Sequence, residues 1–446
     1  MNYETKLREQ CRRAVDAAKQ CGADEVEVLA QTSRAISVEI EKHDLQTSSS
    51  QQETMVGVRA FVDRRVGFAC TNVLEELDAT CADAVKLAKA SPQDDHNVLA
   101  DPVPVTPIDG LYDPAAEAFS VSDAVEQAIR MIETADSMDR RLVLGGGSFS
   151  ANLSSRCIVT TRGIDVSDTG SLFVFHALAT AKDGQKVSNM AFHFDASHSV
   201  AGIDVGPVAA HACRDALGSL GAERGESFVG PVVLSPNAVQ SIFAGLFSFQ
   251  LNAKNALRGA SRWGGLLGQS VAATTLTVVD DGCLPGGVAT ESFDREGLPH
   301  RKLVLIDAGV ARALMHNAYT ARAMKADNTS HASGSARSIP AIGTTNLSVV
   351  PGTETKDEMI AGIKNGLLVN RFSGSSNPIS GDYSGVAKAA YLIKDGKLDR
   401  PVTGTLIAGN VFESLHKIIG ISSETEPVYT AVLPYVGIDD VSVTAE

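Results

Sequence analysis

At 446 residues, with 44% hydrophobic and 21% charged residues, the chain has a globular rather than a disordered composition and is long enough for about three domains. Its formal charge of -14 would repel a polyanion, which argues against direct binding to nucleic acid. No stretch reaches the ~18 uninterrupted apolar residues of a membrane span, Met1 to Lys6 lacks a signal peptide's apolar core, and the seven scattered cysteines include no Cys-x-x-Cys pair, so reduced thiols in the cytoplasm are expected.

Glu4 to Gln20 places Leu7, Cys11, Val15 and Ala18 at helical spacing, with Gly22 as a stop. Alternating runs predict strands over Glu25 to Thr32, Ala35 to Lys42, Val56 to Val62 and Val66 to Cys70, and the polar stretch Gln46 to Gln52 reads as a loop between them. Asn72, with Glu75 three residues on, predicts a capping box for a helix through Lys89. Prolines 92, 102, 104, 107 and 114 mark a linker, in which Asp94-Asp95-His96 reads as a solvated loop.

A second helix is expected from Ser122 to Met138. Strands over Leu142 to Asn152, Arg156 to Thr161, Leu172 to Ala181 and Lys186 to Phe194 follow, with turns at Arg162-Gly163 and Asp183-Gly184, and a helix from Val208 to Leu217 closes the unit. Beyond Gly225 the pattern changes. Val232 to Leu234 is a short strand, and Ser235-Pro236 supplies an N-cap and a first-turn proline for a helix with Val239, Ile242, Phe243, Leu246 and Phe247 on its apolar face. Short alternating runs then dominate, interrupted by a helix over Lys356 to Gly366, and Asp395-Gly396 joins two strands as a two-residue hairpin. The expected fold class is α+β: an N-terminal α/β region of two helix-strand-helix subdomains (residues 1–90 and 115–225, joined by the linker 91–114), then a mainly β domain over 226–446.

Few residues suggest chemistry by themselves. His193, Asp195 and His198 offer three metal-ligating side chains, but alternate residues of a strand face opposite ways, and an exposed turn with satisfied polar groups is the plainer account of them. Gly145-Gly146-Gly147-Ser148 lacks the P-loop lysine and reads as a bend or bulge. No serine stands in Gly-x-Ser-x-Gly.

Three stretches taken together are more specific: Phe293-Asp294-Arg295-Glu296-Gly297, Tyr319-Thr320-Ala321-Arg322, and Gly381-Asp382-Tyr383-Ser384 leading into the glycine-rich Val402 to Asn410. In this order they resemble the C-terminal region of the TldD/TldE (PmbA) peptidase family, and the TldE half most closely. In the TldD half, a helix in the place of Ala238 to Phe249 bears His-Glu-x-x-x-His, and a late cysteine completes a zinc site. Here that helix has no histidine, carboxylate or cysteine, and no cysteine follows Cys283.

The resemblance therefore implies a subunit that binds no cofactor itself and pairs with a TldD-like zinc peptidase. Together they would cleave unfolded peptides or peptide conjugates. It also points to Asp294, Glu296, Arg322, His331, Asp382, Tyr383 and Asn410 as contacts for a peptide groove or for the partner; turn capping is the plainer account of Asp294 and Glu296. Ser330 stands where the family often has glycine. Two other readings stay open: an independent hydrolase with metal around His193 and His198, and a homodimeric scaffold.

Overall fold

The computed structural model describes residues 3–445. The first helix, α1 (Tyr3–Gln20), buries Leu7, Cys11, Ala14 and Ala18 and stops where Gly22 takes φ +95°. Three strands follow: β1 (Glu25–Glu41), β2 (Asp44–Val62) and β3 (Arg65–Thr71). After α2 (Leu77–Ala90) and α3 (Val121–Met138) come β4 (Leu142–Thr160), β5 (Asp165–Asp183), the short β6 (Lys186–Val187), β7 (Ala191–Ser197) and α4 (Val205–Gly218).

The strands of both N-terminal units make one seven-stranded sheet in the order β3-β2-β1-β4-β5-β6, with β7 also against β5. Its seam is the antiparallel β1–β4 ladder, from Glu27 opposite Thr160 to Glu41 opposite Gly146.

Several expected breaks are absent for one reason. Gln46 to Gln52 was expected to be a loop because its side chains are polar; they are indeed exposed, but the backbone pairs with β1, with Ser50 opposite Ile36. Ladder hydrogen bonds, not side-chain burial, order this stretch. In the same way β1 runs through Ser33-Arg34 and β4 through Leu153-Ser154-Ser155 without interruption. Other corrections are local. Asn72 caps nothing: the Thr71 hydroxyl accepts from Val73 N instead (2.9 Å), and α2 begins at Leu77 with no side-chain cap. Ser188 breaks the predicted 186–194 strand by turning its amide and hydroxyl onto Ala181. The 356–366 helix ends at Ala361, and Asn365 already starts a strand.

The 91–114 segment is a strap. Leu99 and Ala100 are buried, and the Tyr319 hydroxyl donates to Asp94 (2.8 Å), so the stretch is held against the third unit.

The third unit is built on a 12-stranded sheet. Phe228–Leu234 lies parallel to Asn365–Ser376 and antiparallel to Ala431–Ala445. Asp395 (φ +47°) and Gly396 (φ +77°) form the expected hairpin turn between Asp382–Lys394 and Lys397–Thr403. Ser235 accepts from Ala238 N and starts a helix made of Pro236–Val239, a π turn Gln240–Ala244, and Gly245–Gln250. Its Ile242, Phe243, Leu246 and Phe247 enter the main core with Trp263 and Leu305. Among the described residues, no helix is long and apolar enough to cross a membrane.

Candidate functional site

The Phe293–Gly297 loop is where all three units meet. Glu27 of β1 lies 2.5 Å from Arg59 Nη2 of β2 and 2.8 Å from Arg295 Nη1, and Arg59 also reaches Glu296 Oε1 at 3.2 Å. The second Glu296 oxygen accepts from Ala318 N (2.8 Å), at the start of the helix Ala318–Met324. Asp294 accepts from the amides of Glu296, Leu298 and Ala332. From the second unit, Arg156 donates to Phe293 O (2.6 Å) and stacks over its ring.

Burial alone would raise Glu27, but Arg59 and Arg295 more than offset it and hold its carboxyl below the usual range. Asp294 has no such cation; burial, and then Glu296, push it up to about 7 against the pull of three amides. Asp294 and Glu296 are each only 1% exposed, so the expectation that they face a peptide or a partner is corrected: they are interior ties.

The other residues singled out by resemblance separate into two places. His331 is buried between Asp280 (3.1 Å) and Thr329 O (2.7 Å), so it too faces no groove. Ser330 takes the left-handed conformation (φ +58°) that glycine would favour, supported by the Asn328 side chain accepting from its amide (2.9 Å), so the substitution leaves a left-handed turn in place. Tyr383 is buried with its hydroxyl at Ser414 (3.3 Å), whereas Asp382 is exposed and accepts from Asn410 Nδ2 (3.0 Å). Asn410 in turn caps the turn at Val411–Ser414. Arg322 is exposed on its short helix. None of the seven lines the large cleft that separates the second and third units.

That cleft, of ≈ 570 Å³, is walled by His193, Asp195, His211 and Asp215 on one side and by Lys356, Arg371, Tyr391 and Tyr435 on the other. The proposed trio His193, Asp195 and His198 does not assemble. His198 turns away, with its ring nitrogens at Ser171 O (2.8 Å) and Gly287 O (3.0 Å), and Asp195 accepts from Ala196 N (2.8 Å). His193 instead meets two residues of α4. Its Nε2 is 3.0 Å from Asp215, and its ring stacks on His211 at 3.5 Å. Burial, and then His193, hold His211 below its usual pKa. The signal for these missed residues is a His-x-x-x-Asp spacing that puts both on one helical face, beside the buried stripe Val208, Ala209, Ala212 and Ala216.

The three units coincide with three family domains. Residues 26–88 match the PmbA/TldA metallopeptidase domain 1, residues 114–220 the central domain and residues 227–445 the C-terminal domain. The chain belongs to the PmbA/TldD metallopeptidase family. An uncharacterized protein of Methanocaldococcus jannaschii is 25% identical over 400 residues, covering 89% of this chain and 91% of its own. The metalloprotease TldD homolog of Haemophilus influenzae is 26% identical over 391 residues, 83% of this chain and 80% of its own. The crystal structure of TldE from Thermococcus kodakarensis superposes with a TM-score of 0.89 at 24% identity, over 98% of this chain and 100% of that one, which shows a shared fold.

PmbA/TldD family membership raises the question of zinc. The 236–250 helix, which the resemblance sets against the TldD zinc helix, offers Gln240, Ser241, Phe243, Phe247 and Ser248 but no imidazole, carboxylate or thiolate, and Phe243 and Phe247 are 2% exposed in the core. These residues do not fit a zinc ion, which takes Cys, His, Asp or Glu.

Proposed function

We propose that this chain is the TldE/PmbA-like subunit, without the family's catalytic zinc site, of a heterodimeric TldD/TldE-type zinc metallopeptidase acting in the cytoplasm on unfolded peptides or peptide conjugates. The observation that supports the reading is the 236–250 helix, which the family resemblance sets against the TldD zinc helix and whose apolar residues are committed to the core. The partner would bring metal and base. This chain would close the chamber and present strand edges along which an extended peptide can add, a mode that reads main chain and so favours unfolded substrates.

The test is co-expression with a chain of the same family that carries His-Glu-x-x-x-His. The pair is expected to co-purify and to cleave an unfolded peptide while leaving a folded protein intact. Neither chain alone does so, and substituting the partner's glutamate abolishes cleavage. Cleavage by this chain alone, undiminished in the partner's absence, would overturn the proposal.

A further inference from the structure

We propose that His193, His211 and Asp215 form a binding site for a divalent transition metal of the zinc class, on the wall of the cleft between the second and third units and apart from any peptidase zinc in a partner. Each residue offers one ligating atom, and the three atoms lie within 4.8 Å of one another. They come from two elements packed together in one unit: His211 and Asp215 one turn apart on α4, and His193 from the adjoining β7.

One of the three pairs already has the spacing of a coordination sphere. Two ligand atoms on one zinc, each at about 2.0–2.1 Å, stand roughly 3.0–3.4 Å apart when the angle between them is about 90–109°. His193 Nε2 and Asp215 Oδ2 are 3.0 Å apart, with a proton between them where the ion would sit. His211 is the residue that packing alone does not explain. Its ring lies flat on that of His193, 3.5 Å away and 19° from parallel, and among the described residues its side chain takes part in no hydrogen bond. Its unpartnered ring nitrogens are not sealed from solvent and stay open to the cleft. A metal here would displace the proton shared by His193 and Asp215, and the two rings would leave their stack so that their in-plane lone pairs converge on the ion.

The ligand class narrows the ion. Two imidazoles and one carboxylate suit zinc and its neighbours, whereas calcium and magnesium prefer oxygen donors. Three protein ligands leave a fourth position, and all three residues line the cleft, as do Asp195 and Tyr391. This set was not visible as His193, Asp195 and His198, because His198 spends both nitrogens on backbone carbonyls.

The experiment uses the full chain purified alone, stripped with a chelator and titrated with Co²⁺ and with Zn²⁺. The wild type is expected to bind one equivalent and to show the visible bands of low-symmetry cobalt. His211→Gln and Asp215→Asn should each weaken binding by more than about 100-fold, beyond the ~10–100-fold typical of outer-shell changes. His416→Ala, at an exposed histidine far along the chain, should leave it unchanged. No binding by the wild type, or equal binding by His193→Ala/His211→Ala, overturns the site. If a variant unfolds, X-ray absorption of the zinc-loaded wild type decides: nitrogen and oxygen neighbours at about 2.0–2.2 Å support it, and sulfur at about 2.3 Å, from a cysteine, overturns it. Peptide cleavage enters none of these readouts.

Discussion

Replacing Arg295 by methionine should destabilise the chain more than any surface change, and the structure says by how much. Arg295 is 3% exposed; its Nη1 sits 2.8 Å from Glu27 Oε1, and its other nitrogens donate to Ser335 O and Ser338 O. In the native cluster two guanidiniums face two carboxylates, Glu27 and Glu296. After the substitution those carboxylates share Arg59 alone, and Glu27, 1% exposed, cannot recover the lost partner from water. A unit pair at ~4 Å with an effective dielectric constant of ~20 is worth about 4 kcal/mol. Breaking one partner of a buried pair typically costs about 3–5 kcal/mol. Urea unfolding of wild type and variant at pH 8, compared at equal m-value, should therefore show a loss of about 3–5 kcal/mol. A loss below about 1 kcal/mol would refute the claim that this junction holds the units together. In Glu27→Gln/Arg295→Met the two losses should fall short of adding by about 1.5 kcal/mol or more, since they share one contact.

Four further outcomes follow from the geometry. Asp294 is raised to about 7, so its proton is bound by the folded state over a range where the unfolded chain has released it; stability should fall as pH rises from about 4 to about 7, by about 4 kcal/mol at most, and Asp294→Asn should flatten that slope in pH-dependent unfolding. Glu27 acts in the opposite sense: its depressed carboxyl contributes stability that is complete above about pH 4.3 and is lost as pH falls through its folded value, so Glu27→Gln should blunt the acid limb. Gly297→Ala should lower the thermal midpoint, because φ is +81° and the added Cβ would lie 2.6 Å from Ile164 Cγ2; left-handed strain of about 1–2 kcal/mol and overpacking of about 1–3 kcal/mol add, and an unchanged midpoint would contradict this. Phe243→Ala should cost about 3–5 kcal/mol, against less than about 0.5 kcal/mol for the exposed neighbour Ser241→Ala; similar values for the two would mean the helix is not seated in the core as described.

How much of this was legible depended on where the information lies. Helices and turns announced themselves through side chains: Gly22 ends α1, Ser235-Pro236 begins the 236–250 helix, and Asp395-Gly396 makes its hairpin. The strands of the N-terminal sheet were seen but cut too short, since a ladder hydrogen bond is made by every residue whatever its side chain, and Ser48-Ser49-Ser50 carry no apolar alternation. The site was legible only in part. That residues 238 to 249 include no histidine, carboxylate or cysteine could be read directly. The family motif Asp294-Arg295-Glu296 was visible as a cluster, but its partners Glu27 and Arg59 lie more than two hundred residues away, and nothing local tells an interior ion network from a groove wall. His193 was noticed, yet the residues it meets, His211 and Asp215, sit on another element and gave only a four-residue spacing within a helix.

The seam between β1 and β4 bears on how the chain is made as well as on how it stands. β1 gains β2 as a neighbour almost at once, but its other edge, Glu27 to Glu41, waits for residues 146 to 160. At a synthesis rate of about 5–20 residues per second, the roughly hundred intervening residues leave that edge bare on the ribosome for something like 5–20 s. An uncovered edge of that length invites pairing with another nascent chain. Past Val28-Leu29-Ala30, the polar residues Gln31, Ser33, Arg34, Ser37, Glu39 and Glu41 leave no apolar run longer than two residues. Those polar positions guard the interval before β4 arrives, so replacing them with β-branched apolar residues would be felt first as aggregation during expression, even where the finished sheet tolerates the change.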